Sequence, residues 1–263
     1  MPQGSIDSSV SVYLMAGQSN LVGEALVENL DLHYRVSFPA AQIWGISPSR
    51  EGTHGERFVD LAPGFSSYYL HLGPELSFGR QLVVSTRETV YLIKDGLGAT
   101  TLETDWDPNG INNSYDRFTE TVDVALATLT AQGIAYEIKG MVWMQGESDV
   151  WVPGFAEQYE ENLAVLVSDV RSRYGETLPI AIGLIRGDLP TDDSEPLRQV
   201  RAAQRAIATA DPYTTLVNTD ALGTGAAVLQ SDAVHYNAAG QVLLGKAFAA
   251  ALLGDEPAHS TAN

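Results

Sequence analysis

Between Val12 and Ala16 the chain is apolar at every position, and Gly17-Gln18-Ser19-Asn20 follows at once. An apolar run without polar alternation describes a strand buried on both faces, as in a parallel sheet. The glycine-led polar tetrapeptide behind it describes a tight turn that leaves Ser19 exposed at the strand's carboxyl end. Similar short runs recur at Val90 to Ile93, from about Ile138 through Trp143, at Pro179 to Leu184 and at Thr214 to Val217, which makes five predicted strands.

Between these runs the period changes to that of a helix. Leu72-Gly73-Pro74-Glu75 places Pro at a first helical position and an acid in the first turn, which opens a helix expected to reach about Thr86. Phe118, Val122, Ala125 and Leu129 recur at helical spacing before Gly133, and Phe155, Tyr159, Leu163, Leu166 and Val170 mark one apolar face ended by Gly175. Ser194 and Pro196 open a helix through about Ile207, and the last helix runs from Asn237 to about Leu253. Leu21 to Ser49 has no sustained helical period; only Ala41 to Ile46 looks like a short strand, and Arg50 to Gly55 continues the stretch as loop.

Alternation of strand and helix requires right-handed crossovers, so the predicted class is α/β: a single-domain three-layer sandwich whose five-stranded parallel sheet is covered on both faces by helices. The 263 residues, 44% of them hydrophobic, suffice for one large core. The domain is expected to span 1–254, with 255–263 as a disordered tail.

Composition then removes whole classes of function. Fifteen Lys and Arg against 33 Asp and Glu give a net charge of -18, a field that repels phosphate backbones and anionic membrane surfaces, so neither nucleic acid nor membrane is an expected partner. With no cysteine, disulfides, thiolate metal sites and cysteine nucleophiles are excluded. The five histidines show no ligand-type pairing, so neither a metal nor any other cofactor is expected. No apolar run approaches the roughly 20 residues needed to cross a bilayer, and a soluble chain is expected. Met1 to Ser11 is polar and has no apolar signal core, which fits a cytoplasmic chain or a secreted one with its signal already trimmed. The sequence does not set an oligomeric state.

Polar residues collect where the predicted strands end: Ser19, Lys94 to Thr101, Gln145 to Asp149, Arg186 to Asp188, and the loop holding Asp232 and His235. That edge is where an open α/β sheet carries its chemistry. A serine hydroxyl attacks a carbonyl only when an imidazole takes its proton and a carboxylate holds the imidazole. Asp232-Ala233-Val234-His235 supplies both groups on one short loop just before the last helix, so Ser19, His235 and Asp232 are the candidate catalytic residues. The developing oxyanion needs preorganised donors, each worth about 3 to 4 kcal/mol. The candidates are the backbone N–H groups of Ser19 and Gly98 and the side-chain amide of Gln145. Gln18, Asn20, Thr100, Trp106, Trp151 and Tyr236 lie on the same side and are candidate substrate contacts, the aromatic ones by stacking on a sugar ring, whereas Trp143 inside an apolar strand reads as core.

Ala16-Gly17-Gln18-Ser19-Asn20, Trp143-Met144-Gln145-Gly146-Glu147-Ser148-Asp149 and Asp232-Ala233-Val234-His235 with a following Gly240 together resemble the motifs of SGNH-type hydrolases. Within them the chain is most similar to the sialate O-acetylesterase-like and acetylxylan esterase group, carbohydrate esterase family six. Gly73-Pro74-Glu75-Leu76 and Lys94 to Leu102 fit the same group, so the resemblance runs from Met15 to about Gly245. It implies a flavodoxin-like SGNH fold and a metal-free serine esterase that removes acetyl groups from sugars, such as acetylated xylan or acetylated sialic acid, through an acyl-enzyme. Ser19 would be the nucleophile, His235 the base and then acid, Asp232 the orienting carboxylate, and Gly98 and Gln145 the oxyanion partners. Two positions depart from the pattern: Leu21 stands where the group usually has Met, and Gly98-Ala99 stands for paired glycines. Glu147 remains a rival to Asp232 as triad acid, or a residue that supports the site from behind. A sugar-binding module without turnover, and an SGNH hydrolase acting on other esters, are the alternative functions.

A serine mechanism has no step for a metal. Dialysis against a strong chelator should leave esterase activity unchanged, and a loss restored by one divalent ion would overturn this expectation.

Overall fold

The computed structural model describes residues 9–44 and 57–254. Most of the polar N-terminal stretch, the end of the short strand at Ile46, the loop Arg50 to Gly55 and the tail 255–263 lie outside the described residues.

In chain order, β1 (Val10–Gly17) passes into a single helical turn, α1 (Ser19–Val22), and then β2 (Ala25–Leu26), β3 (Phe38–Trp44), β4 (Val59–Leu61) and β5 (His71–Leu72). Next come α2 (Glu75–Thr86), β6 (Val90–Gly96), α3 (Ser114–Ala131), β7 (Tyr136–Met144), the short α4 (Glu147–Trp151) and α5 (Phe155–Tyr174). The chain closes with β8 (Ile180–Leu184), α6 (Ser194–Ala210), β9 (Thr214–Asn218) and α7 (Ala238–Leu253).

The main sheet has seven strands in the order β4-β3-β6-β1-β7-β8-β9, and β2 pairs with β5 in a separate ribbon. The expectation of five strands is therefore corrected by two. β3 joins parallel to β6, with Ala41 opposite Val90 and Ile43 opposite Leu92, because Ala41 and Ile43 turn fully buried side chains into the core. β4 is only three residues long and closes that edge antiparallel to β3. A segment so short carries no readable period.

β1 sits at the centre, parallel to β6 on one side and to β7 on the other. Its alternate residues feed two separate cores. Val12, Leu14 and Ala16 join Phe118, Val122 and Leu129 of α3 and Tyr159, Leu163 and Leu166 of α5 on one face. Tyr13 and Met15 join Leu76, Phe78 and Leu82 of α2 and Leu244 and Phe248 of α7 on the other. That double burial is why the run is apolar at every position, and each large side chain so enclosed contributes about 1.5 to 3 kcal/mol. The chain builds outward from β1 toward β3 and β6, then crosses to β7, so the strand order reverses at β1. The crevice outside its carboxyl end is a topological switch point, the place where such sheets hold ligands.

One backbone position fixes that crevice. Gly17 has φ +149, and a Cβ there would lie 2.0 Å from the Met144 carbonyl oxygen. The Gln18 N–H donates to that same oxygen at 2.9 Å, which presses the turn carrying Ser19 against the end of β7. Gly17→Ala should cost roughly 3 to 5 kcal/mol by urea unfolding and remove activity in whatever fraction still folds, since strain and overlap act together. A stability change below about 1 kcal/mol would contradict the close approach.

Candidate active site

The turn after β1 places Ser19 as first residue of α1, behind an extended Gln18. From the far end of the chain, 216 residues on, His235 brings Nε2 to 3.0 Å from Ser19 Oγ. Its other nitrogen, Nδ1, lies 2.7 Å from Asp232 Oδ2. Asp232 Oδ1 accepts the N–H groups of Val234 and His235 at 2.9 and 3.0 Å, so one carboxylate folds its own loop and holds the ring. Ala233, between them, takes φ +58, a left-handed conformation uncommon for a residue with a Cβ. Burial pushes the Asp232 carboxyl up, but the hydrogen bonds from His235 and the loop N–H groups outweigh it and hold the group below its ordinary value.

The loop after β6 passes beside Ser19. A Cβ on Gly98 would lie 3.6 Å from that of Ser19. Among the described residues, the N–H groups of Ser19 and Gly98 donate no hydrogen bond. Two free donors thus flank the serine hydroxyl. The Gln145 amide does not add a third: its Nε2 donates to Thr100 O at 3.0 Å and to Asp149 Oδ2 at 2.5 Å, while its Oε1 accepts from Tyr159 at 3.1 Å. Contrary to expectation, Gln145 braces the neighbouring loop instead of facing the serine.

Asp149 was visible as the end of the Gln-Gly-Glu-Ser-Asp motif, but its role was not. It follows Gln145 by four residues, on the first turn of α4, and the turn through Gly146 folds the two side chains together. Its carboxylate accepts the Leu102 N–H at 3.0 and 3.1 Å, tying the loop that carries Gly98 to the end of β7. Burial lifts its pKa to about 6, against the hydrogen bonds from Gln145 and the loop backbone.

Five of the six expected substrate contacts face inward. Gln18 accepts the Gly146 N–H at 3.2 Å, Thr100 accepts the Trp106 Nε1–H at 2.9 Å, and Trp106 packs edge-on against Trp143. Trp106 and Tyr236 are fully buried, and the Asn20 amide is taken up by backbone and Glu147. Only Trp151 is open to solvent, at 43% exposure. A loop position fixes where a side chain starts, not which way it turns.

Behind the serine turn, Lys94 Nζ donates to Val22 O at 2.8 Å, Phe65 O at 2.7 Å and Glu75 Oε2 at 2.6 Å. Burial pushes its pKa down while the Glu75 carboxylate pulls it back up. A cavity of 390 Å³ opens in front of it beside Gly98, with Trp44 and Phe65 as apolar walls and Ser66, Ser67, Thr121 and the Asp95–Arg117 ion pair as polar ones. Among the described residues no group of three His, Asp or Glu could hold a metal, and no helix is long and apolar enough to cross a membrane.

The three-layer sandwich with a serine at its switch point and Asp-x-x-His on the loop before the last helix defines the class: an SGNH-type carboxylic ester hydrolase. More narrowly, the chain belongs to the carbohydrate esterases described as sialic acid-specific acetylesterases, whose family profile matches residues 9–254. No curated protein sequence matches it. Solved structures do, at low identity. A protein from Arabidopsis thaliana is 19% identical with a TM-score of 0.74, over 94% of this chain and 99% of that one. NanS is 14% identical with a TM-score of 0.69, over 94% and 97%. A carbohydrate acetylesterase from Xanthomonas citri is 17% identical with a TM-score of 0.64, over 95% of this chain and 58% of that one. At these identities the likeness is one of fold.

The Asp149 carboxyl provides a test of the brace. Its folded pKa lies above the ordinary 3.8, so the stability it contributes is fully present below about pH 4 and is lost as the pH rises through 6. Relative to Asp149→Asn, the native protein should lose on the order of 2 to 3 kcal/mol between pH 4 and pH 7 in paired urea titrations. A gap that does not change with pH would place the carboxylate in water.

Proposed function

We propose that this chain removes O-acetyl groups from sugar hydroxyls by a two-step serine mechanism. The observation that carries the reading is the unbroken series Ser19 Oγ, His235 Nε2, His235 Nδ1 and Asp232 Oδ2, with the two free N–H groups beside it. His235 Nε2 takes the Ser19 proton as Oγ attacks the acetyl carbonyl, and Asp232 holds the tautomer with Nδ1 protonated and steadies the imidazolium. The Ser19 and Gly98 N–H groups receive the oxyanion. The tetrahedral intermediate collapses, the sugar oxygen takes the proton from His235, and the acetyl group stays on Ser19. Water then attacks the acyl-enzyme, giving its proton to His235, which returns it to Ser19 Oγ as acetate leaves.

The family description and the Xanthomonas acetylesterase support an acetylated sugar as substrate. The 390 Å³ cavity beside Gly98 suits one sugar ring, with apolar walls for its faces and hydroxyl, carboxylate and guanidinium groups for its edges. Both xylan-type and sialic-acid-type acetyl sugars fall in this class.

Ser19→Ala should abolish hydrolysis of p-nitrophenyl acetate and of acetylated sugars with the fold retained; turnover near the native rate would discard the mechanism. Asp232→Asn should lower kcat by roughly 10³ to 10⁴, through loss of the correct tautomer, and Glu147→Gln should cost less. The reverse ranking, measured on folded variants across several pH values, would move the triad acid to Glu147.

A further inference from the structure

Ser19 and His235 come from opposite ends of the chain, 216 residues apart, yet must meet at 3.0 Å. The residue beside the serine makes the junction. Asn20 Oδ1 accepts the Tyr236 N–H at 3.1 Å, and its Nδ2 donates to Val234 O at 3.2 Å. The amide therefore grips the backbone on both sides of His235. The remaining Nδ2 proton goes to Glu147 Oε1 at 2.7 Å. Asn20 and Glu147 are each 1% exposed, and Glu147 Oε2 has no hydrogen-bond partner. A carboxyl buried with one bare oxygen is unfavourable, because that oxygen has given up water and gained no donor. Its one side-chain donor is Asn20, so its evident structural use is to fix the rotation of that amide.

We propose that Asn20, locked by Glu147, is a positioning residue that sets the contact between the nucleophile and the base. The proposal rests on the reading that Ser19 Oγ gives its proton to His235 Nε2. An amide suits this role, because it carries an acceptor toward one peptide and two donors, one for the next peptide and one for Glu147. Asp at this position keeps the shape but offers no donor, and apolar residues offer neither group. Neither side chain reaches solvent, so neither touches the substrate. Loosening the grip should act on the proton transfer and not on binding.

The experiment measures kcat and KM for p-nitrophenyl acetate across pH, with melting temperature and circular dichroism, for five proteins. These are Ser19→Ala, Asn20→Asp, Glu147→Gln, Glu147→Leu, and Asn20→Asp combined with Glu147→Gln. Asn20→Asp should lower kcat about 100-fold with KM within about three-fold, the penalty typical of misplacing reacting groups by about an ångström. Glu147→Gln should lose less than about three-fold, because its carbonyl still accepts from Asn20, whereas Glu147→Leu should lose about 10-fold in kcat. The double variant restores a hydrogen bond between positions 20 and 147 with its direction reversed and should regain about 10-fold over Asn20→Asp. Glu147→Leu exchanges a buried carboxyl for an apolar side chain and so keeps the test open if Asn20→Asp does not fold. An inactive Ser19→Ala together with native kcat in Asn20→Asp or in Glu147→Leu, or losses confined to KM, overturns the clamp alone. An active Ser19→Ala overturns the serine mechanism, and the clamp with it.

Discussion

The contact between the Gly17 backbone and the Met144 carbonyl governs the functional half of this molecule. It brings the ends of β1 and β7 closer than any side chain would permit. Everything placed around Ser19 depends on it: the Gln18 side chain reaches the Gly146 N–H, Asn20 reaches Glu147, and Gln145 reaches the loop behind Gly98. The β1 run can occupy that central position because both of its faces are apolar and each has its own helical layer to pack against. Burial secures the strand, and the absence of one methyl group gives the turn its direction.

Rigidity around the serine comes from polar groups that are buried and almost fully paired. Lys94 uses all three ammonium protons on Val22 O, Phe65 O and Glu75, which ties α1, the segment before β5 and α2 to the end of β6. Asp149 does the same for the opposite wall through Leu102 and Gln145. At the end of β8, Arg186 pairs with Asp188 and donates to Gly223 O at 3.0 Å, steadying the route toward Asp232. Such networks add little net stability compared with a well-packed apolar core, and removing one partner is damaging because it leaves a charge or dipole stranded. Their value here is geometric, since each ties a loop of the crevice to the sheet.

Much of this was legible in the sequence. The central strands announced themselves through unbroken apolar runs, and the helices through spacing and punctuation at Pro74, Gly133 and Gly175. β3 was visible as a short strand, but its place in the sheet was not, because four of its seven residues are exposed or only partly buried and nothing local says that it pairs with β6. The meeting of Ser19, His235 and Asp232 could be anticipated because strand order sends all three to one edge. Side-chain direction could not. Trp106 and Tyr236 stood on loops like surface residues, yet one is held by Thr100 and packed on Trp143, and the other lies wholly inside. The Gln145 amide is taken up by Thr100 and by Asp149, partners whose claim on it shows only in three dimensions.

The separation of 216 residues between Ser19 and His235 also bears on how the molecule comes into being. A chain leaving the ribosome presents β1, β6 and β7 before its last loop and helix have been made. The imidazole arrives only with the loop that precedes α7, after nearly every crossover has been laid down. Contacts of such long range carry the largest loop-closure entropy and form late. On the proposed mechanism, esterase turnover is therefore a proofreader's mark on the whole sheet, since it requires the two ends of the chain to have found each other.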